Sequence, residues 1–411
     1  MRTSLILCPL GLLSACGAPE PSQPADRSPV GDAGNVERIA DHEGCDDPRP
    51  WADHLTPSAE ARGIDITLGS TPSAAHFHGF QTGVIAEDID QDNDIDLVFW
   101  DGEEQLHLLL NDGGGNFEPS ELPPAPSREN GQYLRAAAAG DIDGDGLPEL
   151  LWVGDGIALA SVNLGAGAFA DWQTVIAQMG TQLDGYAAAA FGDIDGDDDL
   201  DVILAGLDAR TAGASLPFNT TDWVASPDRI LQNEGGTLVA GPTLVQFAGA
   251  NLSLVQTITD RDLDGDVDLL SWADRADAMP DAPAAAFWRN DGGVLINDAM
   301  DIGADTIASA MGAGIADLNE DGRPDYCVTD ISDRLTCLMS DGNGAYYEGA
   351  AALGLEVQRT AHPAWPGPDN IRDVYTGWGL QLVDLDNDGF LDAASTGSVV
   401  SMTLDLQQPV V

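Results

Sequence analysis

The chain has 411 residues, with 69 Asp and Glu against 16 basic residues, all of them arginine, and a formal net charge of -53. Phosphate backbones need a basic footprint, so this balance excludes nucleic acid as a partner. The lack of lysine also excludes a Schiff-base nucleophile and a Walker-type phosphate loop.

In chain order, Arg2 precedes an apolar run from Leu5 to Leu13, too short to span a bilayer. Leu13-Ser14-Ala15-Cys16-Gly17 follows and resembles a bacterial lipobox, in which Cys16 becomes the lipidated first residue. The alternative is an ordinary signal peptide with an incidental cysteine. Residues 1–15 are thus expected to be a lipoprotein signal. Gly17 in place of an aspartate favours the outer membrane. Residues 16–62, rich in Pro, Ser, Ala and Asp without a sustained apolar period, read as a flexible tether. Residues 63–411 are long enough to bury a large core. Beyond the lipid, no contact with membrane is expected.

A nine-residue acidic pattern then occurs six times. Its oxygen-bearing positions one, three, five, seven and nine are Asp88, Asp90, Asp92, Asp94 and Asp96; Asp141, Asp143, Asp145, Leu147 and Glu149; and Asp193, Asp195, Asp197, Asp199 and Asp201. They return as Asp260, Asp262, Asp264, Asp266 and Asp268; Asp317, Asn319, Asp321, Arg323 and Asp325; and Asp384, Asp386, Asp388, Phe390 and Asp392. Side chains at one, three, five and nine and the backbone carbonyl at seven converge as in the first part of a helix-loop-helix calcium loop. Oxygen-only ligands at this density favour calcium over zinc or copper, and about six ions, mainly structural, are expected. Position six must turn sharply. It is Gly in four loops, Asn93 in the first and Asp198 in the third, residues that tolerate a left-handed backbone. The bland alternative is a set of solvated acidic turns. Asn319, which brings oxygen without charge, makes the fifth loop the weakest.

A second repeat follows each of the first five motifs: Asn111–Phe117, Asn163–Phe169, Asn233–Gly236, Asn290–Gly293 and Ser340–Tyr346, each an Asn or Ser leading into glycines. Such residues between strand-like runs signal tight hairpins. Apolar runs such as Leu97–Trp100, Leu150–Val153 and Val202–Ala205 flank the acidic loops. Each unit therefore reads as strand, acidic loop, strand, connection, strand, glycine turn, strand. The predicted fold is all-β, a propeller of four-stranded antiparallel blades, which avoids long exposed sheet edges.

Successive motifs start 53, 52, 67, 57 and 67 residues apart; the two long spacings are insertions too small to hide another blade, which implies six blades. The sixth motif lacks a glycine turn, so the strand Gly63–Leu68 is expected to complete that blade and close the ring; seven blades is the alternative. By strand parity the acidic loops and glycine turns share one face, and insertions near 208–227, 274–283 and 358–378 project from the other.

These repeats carry a family likeness. Met311–Asp325 and Gly377–Asp392 resemble the FG-GAP and VCBS-type propellers, including integrin α-subunit heads, and most closely the cartilage acidic protein and ASPIC/UnbV group. Many relatives carry a further C-terminal domain, for which the chain, ending at Val411, leaves no room; activity residing there is not expected.

Cys327 and Cys337 flank a turn-like stretch and are expected to form a disulfide in an oxidising envelope, leaving Cys45 over. Trp100, Trp152 and Trp272 recur at similar blade positions and are expected to pack between blades. Catalysis finds little support: every close acid pair belongs to a motif, no Gly-x-Ser-x-Gly elbow occurs, and His76 and His78 suit a surface pair better than a zinc site. One insertion gathers Arg359, His362, Trp365, Arg372, Tyr375 and Trp378 in a chain poor in both aromatics and cations. Arg359, Trp365, Arg372 and Tyr375 are candidate ligand-binding residues, because such side chains dominate binding hot spots. The alternative is that the tryptophans pin the loop to the blades. The expected function is calcium-stabilised recognition of a protein or glycan at the bacterial envelope. A structural envelope role, or an enzyme using the face opposite the calcium loops, are the alternatives.

Overall fold

The structure, a computed structural model, describes residues 59–65, 83–100, 105–127, 132–178, 182–211, 226–244, 253–273, 285–306, 308, 310–330, 335–355, 371–384 and 390–403. The chain divides into two units, which part between Asn251 and Leu252. The first holds three four-stranded antiparallel blades: β1 (Gly83–Glu87) to β4 (Phe117–Ser120) through β2 (Asp96–Trp100) and β3 (Leu106–Asn111); β5 (Leu134–Gly140), β6 (Glu149–Gly154), β7 (Ile157–Ser161) and β8 (Gln173–Ala177); and β9 (Gln182–Gly192), β10 (Asp201–Thr211), β11 (Asp228–Asn233) and β12 (Leu238–Leu244). The second holds two: β13 (Ser253–Thr259), β14 (Asp268–Ala273), β15 (Ala286–Asn290) and β16 (Leu295–Asn297); then β17 (Ala313–Ala316), β18 (Asp325–Thr329), β19 (Leu335–Ser340) and β20 (Tyr346–Glu348). In all five the strands lie in sequence order, as expected when every connection is a short antiparallel one.

The second strand of each blade carries an apolar run, and burial explains why. Strands β6, β14 and β18 are buried at every residue. Alternate side chains of β6 point to opposite faces, so Leu150 and Trp152 join a core with the first blade's Val98 and Leu108. Leu151 and Val153 join another with the third blade's Val202 and Leu204. A strand packed on both faces reads as a continuous hydrophobic run. In the second unit Trp272 and Phe287 meet Tyr326, Val328 and Tyr346 in a shared core. Trp152 and Trp272 thus lie in cores between blades, where each such side chain stabilises by about 2–3 kcal/mol. Trp100 packs partly buried against both of the first-unit cores that β6 joins.

The sixth motif departs from the expected architecture. It joins β21 (Ile371–Val383) to β22 (Asp392–Thr403), which pair with each other in a two-stranded sheet. The described residues therefore form five four-stranded blades and one hairpin, not six or seven blades. Of the strand expected to complete the last blade, only residues 63–65 lie among the described residues, and closure of the ring is not seen there. Glu60–Arg62 form a 3-10 turn ended by Gly63 at φ 86°, a left-handed conformation suited to glycine. Ile64 packs against Leu97, Phe99, Leu109 and Phe117 of the first blade, and Arg62 Nη1 donates to the carbonyls of Gly114 and Gly115 at 2.7 and 3.2 Å. Ile64 thus finds its cover on the first blade. Counting motifs overstates blades because each motif specifies one strand pair only.

Cys327 and Cys337 sit directly opposite each other on β18 and β19 and are joined by a disulfide. The segment expected to be a signal, Cys16, the expected tether up to residue 58, Cys45, His76 and His78 lie outside the described residues.

Candidate metal centre

Every acidic motif fills the same gap in its sheet. The residue before position one pairs with position nine: Glu87 with Asp96, Gly140 with Glu149, Gly192 with Asp201, Thr259 with Asp268, Ala316 with Asp325 and Val383 with Asp392. Position nine is thus the first residue of the second strand, held by the ladder while the rest of the motif forms the loop.

Within the loop, backbone N–H groups fold inward onto the carboxylates. The position-one carboxylates of Asp88, Asp141, Asp193, Asp260 and Asp317 accept the N–H of position six at 2.8–3.1 Å. The position-five carboxylates accept the N–H of position seven, from Asp94, Leu147, Asp199, Asp266 and Arg323, at 2.8–3.1 Å. Position six has positive φ in all five loops, from 72° at Asn93 and Asp198 to 103° at Gly265. Position four does too, at Gln91 (58°), Leu263 (64°) and Glu320 (57°), three side chains that do not favour it. Only the second and third loops mark that left-handed residue with glycine, at Gly144 and Gly196.

Position nine does more than its expected ligand role. One carboxylate oxygen of Asp96, Glu149, Asp201, Asp268 and Asp325 accepts the N–H of position two at 2.7–3.1 Å. The other accepts the N–H of the first glycine-turn residue, Asn111, Asn163, Asn233, Asn290 or Ser340, at 2.6–3.2 Å. These bonds join the two repeats at one end of each blade. Two of these asparagines close a further link. Asn163 Nδ2 donates to Pro148 O of its own loop and to Ile89 O of the preceding blade, and Asn233 Nδ2 does so to Leu200 O and Ile142 O. In the sequence these two asparagines read only as hairpin residues, like the others at the head of a glycine turn.

Three carboxylates converge in four loops: Asp88, Asp90 and Asp96; Asp141, Asp143 and Glu149; Asp193, Asp195 and Asp197; Asp260, Asp262 and Asp268, each offering an oxygen within 4.8 Å of the others. Oxygens held 2.3–2.6 Å from one calcium lie at most about 5 Å apart, so the triads fit such an ion. Asp90 Oδ1 and Asp262 Oδ1 are buried without a hydrogen-bond donor, so they are acceptors for which a cation is the natural partner. The side chains of Asp199 and Asp266 turn instead to the glycine turns, accepting the N–H of Gly235 and Gly292. In the fifth loop Asn319 Oδ1 accepts the Asp321 N–H and its Nδ2 donates to Ser340 O, so the amide serves the loop's own backbone. In the sixth, Asp386 and Asp388 lie outside the described residues, Asp384 and Phe390 flank them, and Asp392 begins β22. Arg359 and Trp365 also lie outside them, and Arg372 and Tyr375 belong to β21.

Electrostatics agree with a site awaiting positive charge. Desolvation first, then the neighbouring Asp92, Asp197 and Asp264 respectively, raises the pKa of Asp90, Asp195 and Asp262. Burial likewise raises Asp96, Glu149, Asp201 and Asp268, and pushes Asp325 up to about 6. A carboxyl with a folded pKa above its unfolded value binds more protons when folded, so stability falls as pH rises between the two. Without metal the chain is therefore expected to lose stability from about pH 4 through pH 6, by up to about 3 kcal/mol from Asp325 alone. Saturating calcium should reverse the trend, because the ion prefers the ionised carboxylates. Urea unfolding at pH 4.5 and 7, in chelator and in calcium, checks both signs.

No curated protein matches the chain in sequence. Among solved structures it is similar to an Agrocybe aegerita lectin described as recognising non-reducing terminal N-acetylglucosamine, at 17% identity and a TM-score of 0.41, over 65% of this chain and 65% of that one. It is similar to BBS1N in complex with ARL6DN at 11% identity and TM-score 0.37, over 64% and 63% of the two chains. A Tc holotoxin pore of Photorhabdus luminescens follows at 15% identity and TM-score 0.21, over 75% of this chain and 16% of that one. The chain thus spans less than two thirds of the first two structures' length. Residues 88–152 and 141–204, which contain the first three acidic loops, match the FG-GAP-like repeat.

Proposed function

We propose that the chain is a calcium-binding protein of the bacterial envelope, anchored through lipid on Cys16, whose blades form a rigid scaffold for recognising a protein or glycan. The observation that carries the calcium reading is the set of carboxylate triads with the donorless buried oxygens of Asp90 and Asp262. Calcium acts here chiefly as a staple, since the same loops hold the first strand, the second strand and the glycine turn together. Binding fits better than catalysis because the close acid pairs are committed to the loops. Recognition is assigned to Arg359, Trp365, Arg372 and Tyr375, from the concentration of aromatics and arginine in that segment.

The test uses two forms of the full chain. Cys16→Ser should move it from the membrane to the soluble envelope fraction while it stays folded; partition with membrane after a salt wash would rule the anchor out. On a glycan array and against envelope extract, Trp365→Ala with Arg372→Ala should abolish capture without changing the calcium-dependent melt. Capture lost only in proportion to folded protein would make the segment structural.

A further inference from the structure

The fourth acidic loop differs from the others at its second position. Ile89, Ile142, Ile194 and Leu318 fill that position in the other described loops, and the fourth has Arg261. The side chain is 4% exposed. Its Nη2 donates to Asp298 Oδ2 at 3.0 Å, its Nε lies 3.7 Å from Asp268 Oδ2, and its guanidinium stands 5.6 Å from the centre of the Phe287 ring. Asp268 is the position-nine member of that loop's triad. A second cation reaches the same loop from the next blade: Arg323 Nη1 donates to the carbonyls of Arg261 and Asp262 at 3.4 and 3.3 Å.

A buried guanidinium beside a triad carboxylate supplies part of the positive charge that the loop requires. It also repels an incoming divalent ion, and burial leaves that repulsion weakly screened. We propose that Arg261, assisted by Arg323, makes the fourth loop a low-affinity calcium site that holds its shape without the ion, set apart from the loops of the first unit, whose triads have an aliphatic residue at position two. The proposal rests on the calcium reading above. It implies a graded response, in which the first three loops fill at calcium concentrations that leave the fourth open.

Equilibrium dialysis of the full chain against buffered calcium tests this, with near-ultraviolet circular dichroism in saturating calcium as the check on folding. Wild-type chain should show a tight and a weak class of sites. Arg261→Gln should move one equivalent from weak to tight, with a dissociation constant at least about tenfold lower. Arg261→Lys should keep it weak, and Arg323→Ala, which leaves the buried Arg261–Asp298 pair in place, should shift it in the same direction by a few-fold. An unchanged curve in Arg261→Gln and Arg323→Ala, while Asp90→Asn removes one tight equivalent, would overturn the role of Arg261 and leave the calcium reading standing. No calcium bound by wild-type chain would overturn both.

Discussion

Stripping divalent ions from the folded chain should lower its stability by more than any single substitution, and calcium should restore it where magnesium does not. An ion that binds only the folded state adds about 2.7 kcal/mol per site at a hundredfold excess over its dissociation constant. Four independent triads would then contribute on the order of 11 kcal/mol, comparable to the whole stability of a typical domain. The size follows from the cost on the other side. Each triad holds carboxylates within 4.8 Å of each other in a chain of net charge -53, and the donorless oxygens of Asp90 and Asp262 are already out of water. Magnesium demands stricter octahedral geometry and keeps its waters, so a loop built from flexible side chains suits it poorly. Thermal melts in chelator, magnesium and calcium measure this directly; three superimposable curves would remove the metal from the fold.

The second large effect is expected at Asn233. Its side chain, 2% exposed, donates to Ile142 O at 2.7 Å and Leu200 O at 3.2 Å and accepts the Gly236 N–H at 2.8 Å. Asn233→Ala removes three bonds and leaves two carbonyls and one amide N–H without them, each worth about 1–3 kcal/mol when buried. A loss of about 3–5 kcal/mol is expected, seen as a lower urea midpoint at unchanged slope. Asn111→Ala is the internal comparison. Among the described residues its Nδ2 donates only to Ile95 O and its Oδ1 accepts the N–H of Gly113 and Gly115, all within its own blade and nearer solvent, and a smaller loss of about 1–2 kcal/mol is expected. Equal losses at the two positions would show that the link between blades contributes nothing.

Much of this arrangement was legible in the sequence because it depends on local chemistry. The acidic spacing implies loops between first and second strands, and the register from Glu87 and Asp96 to Val383 and Asp392 places them there. Glycines after Asn or Ser imply hairpins between third and fourth strands, as at Asn111 and Phe117. Continuous runs such as Leu150–Val153 imply strands covered on both faces, and β6 is one. What the sequence hid depends on contacts far along the chain. Asn163 and Ile89 are 74 residues apart, and nothing local distinguishes an asparagine that only turns a hairpin from one that also holds the preceding blade. The positive φ at Gln91, Leu263 and Glu320 is imposed by the N–H groups that converge on position one, against those residues' own preference. The sixth blade failed as an expectation for a similar reason. Whether Ile64 covers the last sheet or Leu97 and Phe99 of the first is a choice between two apolar surfaces that periodicity cannot rank.

The measurement that bears most directly on the acidic loops is calorimetric titration of calcium into the stripped full chain, beside a variant with Asp90→Asn, Asp143→Asn and Asp195→Asn. Saturable binding by the wild type, with three equivalents missing from the variant, is the expected result. Absence of binding, or identical titrations for the two chains, would show that the loops are acidic turns that hold no metal.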